Sequence, residues 1–326
     1  MLMKVDDRRF PSINRAYDNV FRPGRLSLGL VVPLEAYADA PVPTMRRHVE
    51  RAQLAERLGF SALWLRDVPF NVPEFGDAGQ MFDPFAYLGF LAAKTEHIAL
   101  GVASLVLPLR HPAHVAKAAA SVDVLSGGRL ILGVASGDRP NEYPAFGVPF
   151  ADRGARFRAS VDTIERMRET NPVVDNSYVS LQGDMDLLPK PAGRKLPLLI
   201  TGASQQDPDW IARHGDGWIT YPRGIDAQQK IIGDWRARMR AAGAPIKPAV
   251  QSLYVDLADD PGAPPRPIHL GFRAGMRYLR GHLLALQAIG VNHVALNLRL
   301  NQADIETTLQ RLADALLPEF APLKEN

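Results

Sequence analysis

The chain has 326 residues, 38 Lys and Arg against 35 Asp and Glu, and no cysteine. Its 46% hydrophobic and 22% charged residues are ordinary globular values, which excludes disorder and fibrous architectures. Without cysteine there is no disulfide scaffold, thiolate metal site or thiol nucleophile, and a surplus of three positive charges does not imply nucleic-acid binding.

Residues 1–25 read as an arm that carries much of the basic excess, through Lys4, Arg8, Arg9, Arg15, Arg22 and Arg25 against Asp6, Asp7 and Asp18. Ile13, Tyr17, Val20 and Phe21 fall on one helical face behind Ser12 as an N-cap. The arm could pack under its own domain or contact a second copy. The longest apolar run, Ile98–Leu109, is too short for a membrane span and contains Gly101, Ser104 and Pro108. No signal-peptide core opens the chain, so a cytoplasmic protein without a membrane partner is expected.

From residue 26 to 326 strand and helix signals alternate in one domain. Leu26–Leu34 reads as a buried strand, followed by a helix over Thr44–Leu58 that Gly59 ends. Ala62–Asp67 is the second strand, and Asp83–Glu96 the second helix, capped by Asp83 with Pro84 at its first position. Then come strand Ile98–Leu107, helix Pro112–Leu125, strand Arg129–Ser136 and helix Arg153–Thr170. Residues 171–195 read as a hairpin insertion, Tyr178–Leu181 and Met185–Leu188 around Gly183–Asp184. The alternation resumes with strand Leu196–Ser204, a short helix Pro208–His214 capped by Asp207, strand Gly217–Tyr221, helix Ile225–Ala242 and strand Ala249–Ala258. A Pro-rich loop over 259–270, a helix Gly271–Ile289, strand His293–Leu298 and helix Gln302–Leu317 complete it.

Eight strand–helix units with nearly all-apolar strands predict an α/β fold of the (β/α)8 TIM-barrel type, with the hairpin insertion and the N-terminal arm added. An open doubly wound sheet would want a Gly-rich phosphate turn early in the chain, and neither GxGxxG nor GxxxxGK[ST] follows any strand. In a barrel the chemistry sits where the strands end. There Asp67 is a candidate general base or substrate hook, its bland alternative an ion pair with Arg66. The small pair Ala103–Ser104 would let a planar ligand approach the backbone, or would serve tight packing. Arg139 can meet an anion or stand in solvent. Thr201, Gly202 and Ser204 offer hydroxyls and amides ahead of a helix. The eight histidines include one i,i+3 pair, His111 and His114, with no HExxH or carboxylate cluster, so no metal site is expected. His97 and His293 precede strands on the face where stability is served.

The segments GFSALWLRD, LGVASLVLPLRHP, LSGGRLILGVASGDRPNEYPAFG, LLPKP and LLITGASQ followed by GDGWIT keep one order over about residues 26–300. Together they resemble the bacterial luciferase-like monooxygenase superfamily, and within it the uncharacterised luciferase-type oxidoreductase branch. The resemblance implies a barrel binding FMN or a deazaflavin coenzyme. It implies a non-proline cis peptide at Ala103–Ser104 under the flavin, and flavin contacts at Thr201, Gly202 and Gln205; local geometry adds Ser204. The family's phosphate-binding arginine falls on Ser136, and Arg139 offers a charge in its place. The catalytic histidine of luciferases falls on Asp67, and the Asp-His pair of deazaflavin enzymes on Asp67–Val68, so of that pair only Asp67 is present.

These features predict a flavin-dependent oxidoreductase, a monooxygenase acting with O2 on a small organic substrate. It would take reduced FMN from a separate flavin reductase and work as a homodimer. Three other readings stay open: deazaflavin-dependent hydride transfer, a flavin-binding protein without turnover, and an unrelated barrel enzyme such as a lyase.

Overall fold

The computed structural model describes residues 9–38, 42–72, 74 and 82–320. Eight parallel strands form the barrel: β1 (Ser27–Val31), β2 (Ala62–Leu65), β3 (Ala99–Val106), β4 (Leu130–Ala135), β7 (Leu198–Thr201), β8 (Gly217–Thr220), β9 (Ala249–Leu257) and β12 (His293–Asn297). Each pairs with the next, β9 pairs with both β8 and β12, and β12 pairs with β1, which closes the sheet. The alternation that defines inside and outside follows the two-residue period of a strand. Leu28, Leu30, Leu63, Leu65, Leu100 and Leu132 face outward into the helical layer, while Trp64, Ile131, Leu199, Ile219 and Val250 fill the barrel.

That layer holds α2 (His48–Leu58), α3 (Pro84–Ala92), α4 (Pro112–Leu125), α5 (Arg153–Arg166), α6 (Pro208–His214), α7 (Ile225–Ala241), α8 (Met276–Ile289) and α9 (Ile305–Phe320). Capping accounts for several starts. Asp83 accepts from the amides of Phe85 and Ala86, and Asp207 from that of Trp210. Gly59 ends α2 in the left-handed region, as predicted. None of the described helices is long and apolar enough to cross a membrane.

Several boundaries differ from the sequence reading: α3 ends at Ala92 and α5 at Arg166, short of Glu96 and Thr170, and four further differences have a visible cause. The helix expected from Thr44 starts at His48, because the Glu35 carboxylate takes the amides of Thr44 and Met45 and the chain turns through a left-handed Arg47. The insertion hairpin pairs β5 (Val173–Asp175) with β6 (Ser180–Gln182), so that its second strand falls about where the first was expected. Its turn is made by Asn176, whose side-chain oxygen accepts from Tyr178 and Val179, rather than by Gly183–Asp184. Residues 259–274 are not simply loop and helix: β10 (Arg266–Ile268) and β11 (Gly271–Ala274) form a hairpin, and β11 lies parallel on β9. Finally, α9 continues through Pro318 to Phe320, whose ring is fully buried, so burial outweighs the missing amide.

The arm closes the barrel at its N-terminal end. Its helix α1 (Arg15–Val20) is capped by Asn14, not Ser12, and the Asn14 amide also donates to Asp123 and to the Leu130 carbonyl. Ala16 donates to the Gly128 carbonyl, Arg194 to that of Ile13, and the Tyr17 hydroxyl to that of Asp216 at 2.7 Å. Those partners precede β4, β7 and β8. Phe10, Ile13, Tyr17, Val20 and Phe21 cluster with Trp64 and Ile131. The described part of the arm, residues 9–25, thus packs under its own domain; Lys4, Asp6, Asp7 and Arg8 lie outside the described residues.

Candidate active site

At the opposite end the strands open into a cavity of about 540 Å³, within the range of roughly 300–1,000 Å³ that holds cofactors and drug-sized ligands. Asp67, Ala103, Ser104, Ser136, Arg139, Thr201, Gly202, Ser204 and Gln205 all line it. Residues chosen at four separated strand ends therefore meet in one place.

The floor is made by β3. The Ala103–Ser104 peptide is cis, and the β3–β4 register shifts between Val102 and Leu105. The Ser104 hydroxyl hydrogen-bonds to that of Thr201 on β7. Behind the floor Gly133 leaves no room for a side chain: a Cβ there would stand 2.5 Å from the Val102 carbonyl oxygen and 2.6 Å from Ile219. Gly133 thus lets β4 and the Ile219 side chain pack closely against β3, while Ala103 and Ser104 face the cavity.

After β7 the chain makes a tight polar loop. Gly202, Ser204 and Gln205 all have positive φ, and the Ser204 hydroxyl donates to the Thr201 carbonyl at 2.7 Å. Successive amides in such turns form concave sites that favour anions. After β4 a 3-10 turn, Pro140–Phe146, brings Arg139 and Glu142 to the cavity. Tyr143 anchors it by donating to the Ser136 carbonyl; burial pushes its phenol up to about 12, so the donor stays protonated. At the start of this loop Gly137 is needed, with φ +75° and only 2.7 Å from a Cβ to Val106.

Asp67 stands in the wall with its side chain 1% exposed. Its partner is Arg110, not Arg66. Arg110 reaches both carboxylate oxygens at 2.8 and 3.2 Å, and the Val106 amide donates to one of them. Arg110 continues to Asp83, the cap of α3. The carboxylate is thus committed to holding the end of β3, which limits its freedom to act as a proton carrier.

Two residues emerge that the sequence reading did not single out. Glu142 is 3% exposed, and burial holds its carboxyl above the ordinary range against the pull of Arg139. The signal in the sequence was the NEY segment following Arg139, an acid placed one turn after a base. Arg110 was hidden because its pairing with Asp67 spans 43 residues.

The lining is divided by charge. Arg66, Asp67, Asp138, Arg139 and Glu142 gather at the ends of β2 and β4. Across the cavity β8, β9 and β12 contribute no charged lining residue among the described ones; Tyr221, Tyr254, Asn297 and, from the β10–β11 hairpin, His269 and Leu270 stand there.

A model of the family described as luciferase-like monooxygenase matches residues 24–286. An uncharacterised protein of Mycobacterium tuberculosis is 32% identical over 228 residues, 64% of this chain and 79% of that protein. The F420-dependent hydroxymycolic acid dehydrogenase of the same organism is 29% identical over 202 residues, 60% of this chain and 54% of the other. In fold, the oxygenating constituent of 3,6-diketocamphane monooxygenase from Pseudomonas putida, solved with FMN, superposes with a TM-score of 0.72. It is 15% identical and covers 92% of this chain and 100% of its own.

Proposed function

The chain belongs to the luciferase-like monooxygenase family, and from that premise we propose that it is a flavin-dependent monooxygenase using reduced FMN and O2 on a small organic substrate. The observation that carries the proposal is the pairing of a small-residue floor with a polar rim on adjacent strands. Ala103 and Ser104 lie beside the loop Gly202–Gln205 and the Ser136–Arg139 turn, all on one cavity.

The residues fit FMN. A planar ring needs a floor without bulky side chains, which Ala103 and Ser104 give. A ring edge rich in carbonyls and N–H groups needs hydroxyls and backbone amides, which Thr201, Gly202, Ser204 and Gln205 give. A phosphate needs a buried cation with donors beside it; Arg139 and Ser136, both buried, supply these. Reduced FMN, when bound, supplies the electrons for oxygen activation. The protein would hold and orient the ring against β3. Asp67 fixes β3 through Val106 and Arg110, and we assign it to positioning. The uncharged end, under Tyr221, Tyr254 and Leu270, would receive the substrate. No dinucleotide fingerprint occurs in the chain, which supports delivery of the flavin already reduced by a separate reductase.

A second reading, deazaflavin-dependent hydride transfer, is favoured by the 29% identity to an F420-dependent dehydrogenase. Anaerobic titration of the purified protein with FMN, reduced FMN and the deazaflavin coenzyme separates the two, with Ala103→Leu as control. Tight binding of FMN or its reduced form, lost in A103L, is expected. Preference for the deazaflavin would move the assignment to hydride transfer. No binding of any of the three would overturn the flavin reading.

A further inference from the structure

Glu142 has no part in the function just described, yet it is buried at 3% exposure in the cavity wall three residues beyond Arg139. Its Oε1 lies 3.9 Å from Nη1 of Arg139 and receives no hydrogen bond. The Phe70 amide bonds to the carboxylate, and the strongest charges acting on it are Arg139, then Asp67 and Asp138. Asp67 is neutralised by Arg110, and the neighbouring Tyr143 phenol stays protonated. Among the described residues Arg139 is thus the strongest cationic influence favouring a charged Glu142, and it acts from the long end of ion-pair range.

We propose that Glu142 is the positioning residue of the anion subsite: it holds Arg139 as its counter-ion and releases it by taking up a solvent proton when an anionic ligand, here the phosphate of FMN, arrives. This rests on the phosphate reading of the cavity's charged end. A buried carboxylate that loses its cation to a competitor is left uncompensated in a medium of low dielectric. Burial already disfavours its charged form. Protonation is the relaxation open to it, since Oε1 has no donor to replace Arg139. One proton moves from solvent to Glu142, and one anion moves from solvent to Arg139. By linkage the ligand then binds more tightly as pH falls through the range in which Glu142 titrates.

The test is calorimetric titration of the full chain with FMN, and with riboflavin as the phosphate-free control, in two buffers of different ionisation enthalpy. At pH 8 the free phosphate is already a dianion, its second ionisation lying near ~6, so a proton taken up lands on the protein. Uptake approaching one proton per FMN and none per riboflavin is expected for the wild type. Glu142→Gln, a neutral isostere, should abolish the uptake and bind FMN at least tenfold more tightly than the wild type at pH 8, with the two converging at pH 5.5. Arg139→Gln should weaken FMN and leave riboflavin unchanged. If R139Q weakens FMN but the wild type takes up no proton, the role of Glu142 is overturned and the phosphate reading stands. If R139Q leaves FMN unaffected, both fall. The wild-type proton count decides the matter even if E142Q does not fold.

Discussion

His293 is fully buried, and its bonding fixes its tautomer. The Ser27 hydroxyl donates to the Val20 carbonyl, so at 2.7 Å it accepts from Nδ1 of His293, while Nε2 accepts from the Trp64 indole at 2.8 Å. Both bonds require the neutral ring. Burial pushes its pKa from 6.5 down to about 3. The unfolded chain therefore binds one more proton than the folded one between those limits. The contribution is fully present above about pH 6.5 and is lost as pH falls toward 3, at about 1.4 kcal/mol per unit. Denaturant midpoints measured at pH 7 and pH 5 should differ accordingly by about 2 kcal/mol. His293→Gln should flatten that difference; an unchanged slope would place its origin in another group. Arg110→Met is expected to leave Asp67 with one backbone donor in the wall and to cost about 2–3 kcal/mol, the guanidinium being partly solvated. A melting temperature equal to that of the wild type would show the pair to be dispensable.

The β10–β11 hairpin depends on one contact. Gly271 faces Tyr254 across the β9–β11 ladder, and a Cβ there would sit 1.9 Å from the Tyr254 carbonyl oxygen. Gly271→Ala should unseat β11, speed amide exchange across 271–274 and remove His269 and Leu270 from the uncharged end of the cavity, while the FMN affinity proposed for the charged end holds. Loss of FMN binding together with hairpin protection would show the two ends to be one unit. This hairpin also marks a limit of the sequence. Helices such as Pro112–Leu125 and Pro208–His214 were legible to the residue, because proline and a preceding cap fix their starts. Gly271–Ala274 was read as the first turn of α8, since four residues carry no period and only docking on β9 makes them a strand. The insertion was legible as a hairpin, but its turn was misplaced: a Gly-Asp pair looks like a stronger signal than an Asn whose side chain closes an Asx turn. In the site, the strand-end rule and the ordered motifs brought out nine cavity-lining positions. Glu142 and the Asp67–Arg110 pair escaped, because burial and long-range pairing are properties of the folded chain.

For the molecule as a whole, the barrel has one open end and one stoppered end. The stopper is an extension of the same chain, tied to the segments before β4, β7, β8 and β12 by backbone and side-chain bonds. Its buried Phe10, Ile13, Tyr17, Val20 and Phe21 contribute about 1.5–3 kcal/mol each as an upper bound. A chain beginning at Leu26 would expose Trp64 and Ile131, and it is expected to be recovered aggregated or unfolded. Tyr17→Phe, which removes only the bond to Asp216, should cost about 1 kcal/mol in denaturant titrations. A truncated chain that stays monomeric and melts with the wild type would refute the stopper's importance.

The stopper also sets an order in time. Its residues are synthesised before the barrel they plug, yet the Arg22 carbonyl is held by Asn292, some 270 positions later. A growing chain emerges N-terminus first, so this segment has no finished seat until the last strand is available. It must wait, with its aromatic side chains uncovered, while the rest is translated. What the finished protein uses as a plug is, during synthesis, an uncovered apolar segment, and it can close only on a completed barrel.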